Sequence, residues 1–328
     1  MPTYALEWNA IEAVALKKLQ FLLAHSSSTL PTPHSLLPIP FFIKLYRYSS
    51  VPMFSRDRLA KSPAFIRVGI FLVTLLLGWL PFAAVLRVMV QDANLLNILA
   101  MSLLFVEFLV LLRFWGRRIY RQSAVFSSYG LGMSRQQQLD LMQGLAIGLI
   151  SLFILFWVQA GLGWVAWRSP SPHLPRFFLE GALTGFGVGF AEELIFRGWL
   201  LQELEQDYTA KTALWINSFA FAILHFLKPL DEVWQLLPQI GGLWLLGLIL
   251  VWAKWATQGR LGLPIGLHAG LVWGFYLINV GEWVDYTQQV PEWVTGIDRN
   301  PLAGIMGLLV LSGLAIAFRG RAQQQKMW

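Results

Sequence analysis

From residue 64 onward the chain is a succession of apolar runs, each near the ~20 residues that an α-helix needs to cross a bilayer. They lie at 66–86, 94–114, 141–164, 177–200, 211–227, 236–256, 261–279 and 301–318. In lipid, backbone N–H and C=O groups must be satisfied without water, so runs of this kind predict helices. The expected fold is all-α, a polytopic transmembrane bundle of about eight spans. Composition agrees: 13% of the 328 residues are charged and 56% hydrophobic, against about 25% charged in soluble domains. A soluble fold would lack polar surface to cover so much apolar sequence. Sixteen tryptophans and eight tyrosines suit the two membrane–water interfaces. With no cysteine, a disulfide scaffold, thiolate metal ligands and a cysteine nucleophile are excluded.

The net charge of +7 reads as a topology signal rather than a nucleic-acid footprint, so the expected partners are the bilayer and a membrane-associated peptide or protein, with no nucleic acid. If odd-numbered spans start inside, sixteen Lys and Arg beyond residue 50 fall on the cytosolic side, from Arg56 through Arg113, Arg117, Arg118 and Arg121 to Arg319 and Arg321. Five fall outside: Arg87, Arg168, Arg176, Lys228 and Arg299. That bias predicts both termini in the cytosol. Three regions are expected. Residues 1–62 combine a stretch of helical apolar spacing at 4–24 with a Ser/Pro-rich linker. They suit an interfacial helix; a poorly ordered leader, or a start codon placed upstream, is the alternative. Residues 63–140 hold two spans and a basic cytosolic loop, and 141–328 form the transmembrane core.

Ionisable side chains are costly in the bilayer, about 2.5–3.5 kcal/mol each at its centre on the insertion scale, and so mark candidate functional positions. Glu192 and Glu193, in FAEELIFRGWL, stand well inside a run, with Arg197 after them. Glu193 and Arg197 are i and i+4 in the favourable order for an ion pair. Glu192 is turned about 100° away and stays available. A helix end at the interface with solvated charges is the competing reading. His225 closes FAILH, on one face with Phe221, and His268 sits among small residues in LPIGLHAGLVW. A lone intramembrane histidine is more often a packed, hydrogen-bonded group. Glu192 and His268 fall about 12 and 10 Å from the cytosolic ends of their runs, but His225 about 20 Å. A single site therefore requires the fifth helix to start later than 211 or to tilt. Lys254 and Arg67 lie near run ends and are expected to snorkel. Glu107 is expected to pair with a polar group of a neighbouring span, and Glu180 to lie near the outer interface.

A carboxylate can take a proton from water while imidazoles orient that water or donate to a developing oxyanion. The same three residues, Glu192, His225 and His268, could instead hold zinc. The residues leave both open, so the expected cofactor is none or zinc. HExxH, GxSxG and P-loop motifs are absent.

EELIFR resembles the EExxxR motif of the CAAX protease and bacteriocin-processing (CPBP, Abi-like) family of intramembrane endopeptidases. FAILH resembles its FxxxH motif, and HAGLV stands where its HxxxN/D motif belongs. The resemblance covers about 175–280. It implies an intramembrane endopeptidase acting on a membrane-associated substrate, such as a CAAX-type prenylated protein. In that case Glu192 and His225 activate water, Glu193 and Arg197 organise the site, and His268 serves the oxyanion. It also implies an Asn or Asp four residues after His268, where this chain has Val272. The Trp273 indole or a backbone group is the expected substitute; Asn279, two turns beyond Val272, is a poor one. A catalytically silent, immunity-type binding scaffold is the alternative, and a transporter a more distant one. The expected location is a bacterial plasma membrane, with the site in its cytosolic half.

Overall fold

The computed structural model describes residues 56–169, 172–227 and 230–325. The interfacial reading of residues 4–24 and the Ser/Pro linker lie outside them; residues 56–60 form a short helix. The described residues are overwhelmingly helical and fall into two compact units that divide between Ser123 and Ala124.

In the first unit, α1 (Ala64–Met89) and α2 (Ala93–Arg118) pair. Asp92 starts α2 by accepting from the Leu95 N–H at 2.7 Å, which satisfies one of the four free amides of a helix N-terminus. The pair is held by the Trp79 indole donating to the Ala100 carbonyl at 3.0 Å and by Phe71 standing edge-on to Phe108. Glu107 does not pair with a polar side chain as expected. Its carboxyl lies over Gly78, where a Cβ would collide with it, and its Oε2 is buried with no hydrogen-bond partner. Arg67 does not snorkel either; it is buried and donates to the Ser62 carbonyl.

The second unit contains α3 (Arg135–Gly161), α4 (Leu174–Glu193), α5 (Ala210–Leu224), α6 (Ile240–Ala256), α7 (Gly262–Asn279) and α8 (Ile305–Gln324). Two strands, β1 (Val165–Trp167) and β2 (Val284–Tyr286), pair antiparallel with Ala166 opposite Asp285. This ties the end of α3 to the end of α7. Arg168, next to β1, binds Asp285 at 2.5 Å and Glu282 at 3.3 Å, and Asp285 holds its guanidinium above its ordinary pKa.

Glycine spacing explains why α7 lies against both α3 and α4. Gly266 and Gly270 of α7 face Gly144 and Gly148 of α3, each pair at a four-residue interval, and Gly262 meets the Gln137 carbonyl. A Cβ on Gly144 would strike the Leu263 carbonyl, and one on Gly266 the Leu141 carbonyl. On the other side Gly181, Gly185 and Gly189 of α4 meet Tyr276, Trp273 and Ala269. Small residues at this spacing let helix backbones approach closely in lipid, where packing replaces the hydrophobic effect. Gly266→Ala should therefore destabilise the unit by about 1–3 kcal/mol, read as a lower unfolding midpoint in detergent, whereas Gly313→Ala, in open space on α8, should not.

Five helical stretches among the described residues are long and apolar enough to cross a membrane: α1, α2, α3, Val233–Ala256 and α8. The chain is an integral membrane protein, all-α, and among the described residues these five of the eight expected spans meet that length and apolarity. The three expected spans outside this group, 177–200, 211–227 and 261–279, carry Glu192, Glu193, Arg197, His225 and His268. Helix α5 has only 15 residues, short of the ~20 needed to cross.

Candidate active site

Helix α4 ends at Glu193 and continues into a π-helical segment, Leu194–Leu200, before α-helix resumes at Leu201–Glu205. π-Helical turns are rare and concentrate at functional sites. This one carries the LIFR part of the motif. The short α5 starts at a Thr209 cap, with the Thr209 hydroxyl accepting from the Thr212 N–H at 3.2 Å. It ends at His225, which brings that residue level with Glu192. The helix starts at Ala210, not later than 211 as a single site was expected to require, yet His225 Nε2 lies 3.7 Å from Glu192 Oε2.

Glu193 is fully buried. Its Oε1 accepts from Arg197 Nη1 at 3.0 Å and from His268 Nδ1 at 2.9 Å. Arg197, also fully buried, donates through Nη2 to the Gly247 carbonyl at 3.1 Å. Its guanidinium lies over the Phe221 ring, 4.2 Å from the centroid, a geometry worth about 2 kcal/mol when desolvated. Phe221 also stands edge-on to His225, to His268 and to Phe196. One buried ring thus packs against three of the site's charged or titratable groups.

Glu192 is different: its side chain is 25% exposed. Its Oε2 lies 3.7 Å from His225 Nε2 and 3.9 Å from His268 Nε2, and makes no hydrogen bond. The orientation of both rings follows from their other nitrogen. His225 Nδ1 is 2.7 Å from the Phe221 carbonyl, which can only accept, so Nδ1 carries the proton. His268 Nδ1 is fixed in the same way by the Glu193 carboxylate. Both Nε2 atoms therefore point at one carboxylate oxygen.

The structure thus brings together Glu192, Glu193, Arg197, Phe221, His225 and His268. Trp273 and Val272 stand differently. The Trp273 indole N–H is taken by the Phe178 carbonyl at 3.1 Å, and the Asn279 amide donates to the Phe275 carbonyl. Val272 offers no polar side chain. Glu180 accepts from Arg176 at 2.7 Å and from the Tyr276 hydroxyl at 3.0 Å, away from this cluster. Among the described residues no group of three or more His, Asp or Glu is arranged to hold a metal ion.

Two residues that the sequence did not assign to the site also reach this cluster. Lys254 does not snorkel; it is buried, and its Nζ donates to the Arg197 carbonyl at 2.6 Å. Asn217 is fully buried and donates to the Phe196 carbonyl at 2.8 Å. The one available signal was polarity inside apolar runs, and for Lys254 its place near a run end pointed to the wrong environment.

Residues 174–274 match the family model "Type II CAAX prenyl endopeptidase Rce1-like". No curated protein and no solved structure gives a significant match to the chain. The matched segment begins with α4 and ends within α7, and so contains every residue of the cluster, including the motifs EELIFR and FAILH. Over this segment the chain is similar to that family, in line with the resemblance of its motifs to the CAAX protease and bacteriocin-processing proteins.

Proposed function

We propose that the protein is an intramembrane endopeptidase in which Glu192 is the general base. The observation that carries this reading is the convergence of two ring nitrogens on the free Oε2 of Glu192, beside a second carboxylate that is already neutralised. Separations of 3.7 and 3.9 Å exceed a direct hydrogen bond and suit a bridging water. In the reaction Glu192 takes a proton from that water while His225 Nε2 orients it. The water oxygen adds to the scissile carbonyl carbon. Glu193, hydrogen-bonded to His268 Nδ1, stabilises the imidazolium form of His268, whose Nε2–H then donates to the oxyanion. Glu192 returns its proton to the leaving amide nitrogen as the C–N bond breaks, so the proton count closes without a cofactor.

The substrate is a peptide segment at the membrane, for which a CAAX-type prenylated C-terminus is the first probe. The excess of basic residues on one side supports a site in the cytosolic half of a bacterial plasma membrane, with both termini inside. The direct test is cleavage of membrane-anchored peptides by the purified protein in nanodiscs, compared with Glu192→Gln.

One observation favours a second reading, a silent scaffold that retains the fold. Val272 stands where the family pattern has Asn or Asp, and the side-chain donors of Trp273 and Asn279 are already committed. One missing oxyanion donor costs ~10²–10³ in rate. On the protease reading Val272→Asn should raise kcat, by up to ~10²-fold, with KM little changed. Undetectable hydrolysis in both proteins would favour the scaffold.

A further inference from the structure

The π-helical segment poses a backbone problem that other helices solve. In an α-helix each N–H bonds the carbonyl four residues back; in a π-helix the carbonyl five back. Leu201 N–H bonds Phe196 O, a five-residue step. Once α-pairing resumes, Gln202 N–H is directed to Gly198 O, and the carbonyl of Arg197 is skipped. A buried carbonyl without a donor is strongly disfavoured, and the skipped carbonyl is the one that Lys254 Nζ reaches at 2.6 Å from α6. The preceding carbonyl, Phe196 O, receives Asn217 Nδ2 at 2.8 Å from α5. Two helices thus supply side-chain donors to consecutive carbonyls at the exit of the segment. Arg197 itself is bonded forward to Glu193, which is bonded to His268.

We propose that Lys254 and Asn217 are positioning residues that clamp the π register of Leu194–Leu200, and through it set Glu192 and Glu193 against the two histidines. The inference rests on the protease reading for its effect on rate, but not for its effect on structure. Relaxation of the segment to α-helix would restore a backbone donor to the Arg197 carbonyl and rotate Glu192 and Glu193 relative to Arg197. Misplacement of about 1 Å in a site of this kind costs ~10²-fold in rate. Lys254 is suited to the task because its stem is long enough for a buried ammonium on α6 to reach the Arg197 carbonyl.

The test compares wild type, Lys254→Met, Lys254→Arg and Asn217→Leu as full-length protein in nanodiscs. Three quantities are read: kcat and KM on a membrane-anchored peptide, amide hydrogen exchange of residues 194–201, and the ring ¹⁵N resonances of His268. Lys254→Met and Asn217→Leu should lower kcat by roughly 10–100-fold with KM nearly unchanged, speed exchange in 194–201 and shift the His268 resonances. Lys254→Arg, which keeps a donor, should recover most of each. Unchanged exchange and unchanged His268 resonances in Lys254→Met would overturn the proposal. So would changed exchange with an unaltered kcat, because the clamp would then be structural only. If wild type shows no hydrolysis while exchange and the His268 resonances respond as described, the clamp stands and the protease reading falls.

Discussion

Glu192→Gln should lower peptide hydrolysis by about 10²–10⁴-fold, the contribution of a well-placed general base, while leaving the fold intact. The amide keeps the size of the carboxylate but cannot take a proton from water. Little stability should be lost, because Glu192 is a quarter exposed and its Oε2 makes no hydrogen bond. A change within about 0.5 kcal/mol is expected, as for substitutions outside packed or paired positions. The measurement pairs turnover of a membrane-anchored peptide with the unfolding midpoint in the same detergent. Loss of activity accompanied by loss of fold would remove the support for a role as base.

The second large effect is one of stability. Arg197→Met should destabilise the protein by about 3–5 kcal/mol, since it leaves the Glu193 carboxylate buried without its cation. The cost is large because neither partner touches solvent and Glu193 Oε2 already has no hydrogen-bond partner. Adding Glu193→Gln to Arg197→Met should recover part of the loss, because breaking a buried pair costs more than replacing it. Unfolding titrations of the two single variants and the double variant measure the coupling. Additive losses would mean that the pair does not act as a unit.

Much of this site was legible in the sequence, for a physical reason. Charges are scarce in lipid, so Glu192, Glu193, Arg197, His225 and His268 stood out against the apolar runs, and the i, i+4 relation of Glu193 to Arg197 gave their pairing directly. The all-helical architecture followed from backbone satisfaction in lipid. What was hidden depended on register rather than residue type. Periodicity assumes 3.6 residues per turn throughout, and the π segment breaks that assumption at the motif itself. The second bond of Glu193, to His268, joins residues 75 positions apart and is fixed by the glycine faces that bring α7 against α4. Helix α5 looked like a full span because its apolar run continues past His225, whereas the helix ends there. Lys254 and Arg67 looked like snorkelling residues because distance to a run end says nothing of which neighbour waits there. Glu107 shows the converse: a glycine on the facing helix, rather than a polar partner, makes room for its carboxyl.

The most direct measurement is hydrolysis in ¹⁸O-water by the purified protein in nanodiscs, with a prenylated CAAX peptide as the first substrate and mass spectrometry of the products. The account predicts one ¹⁸O atom in the new C-terminal carboxylate of the wild-type product, and no product above background with Glu192→Gln. Equal cleavage by the two proteins would contradict it.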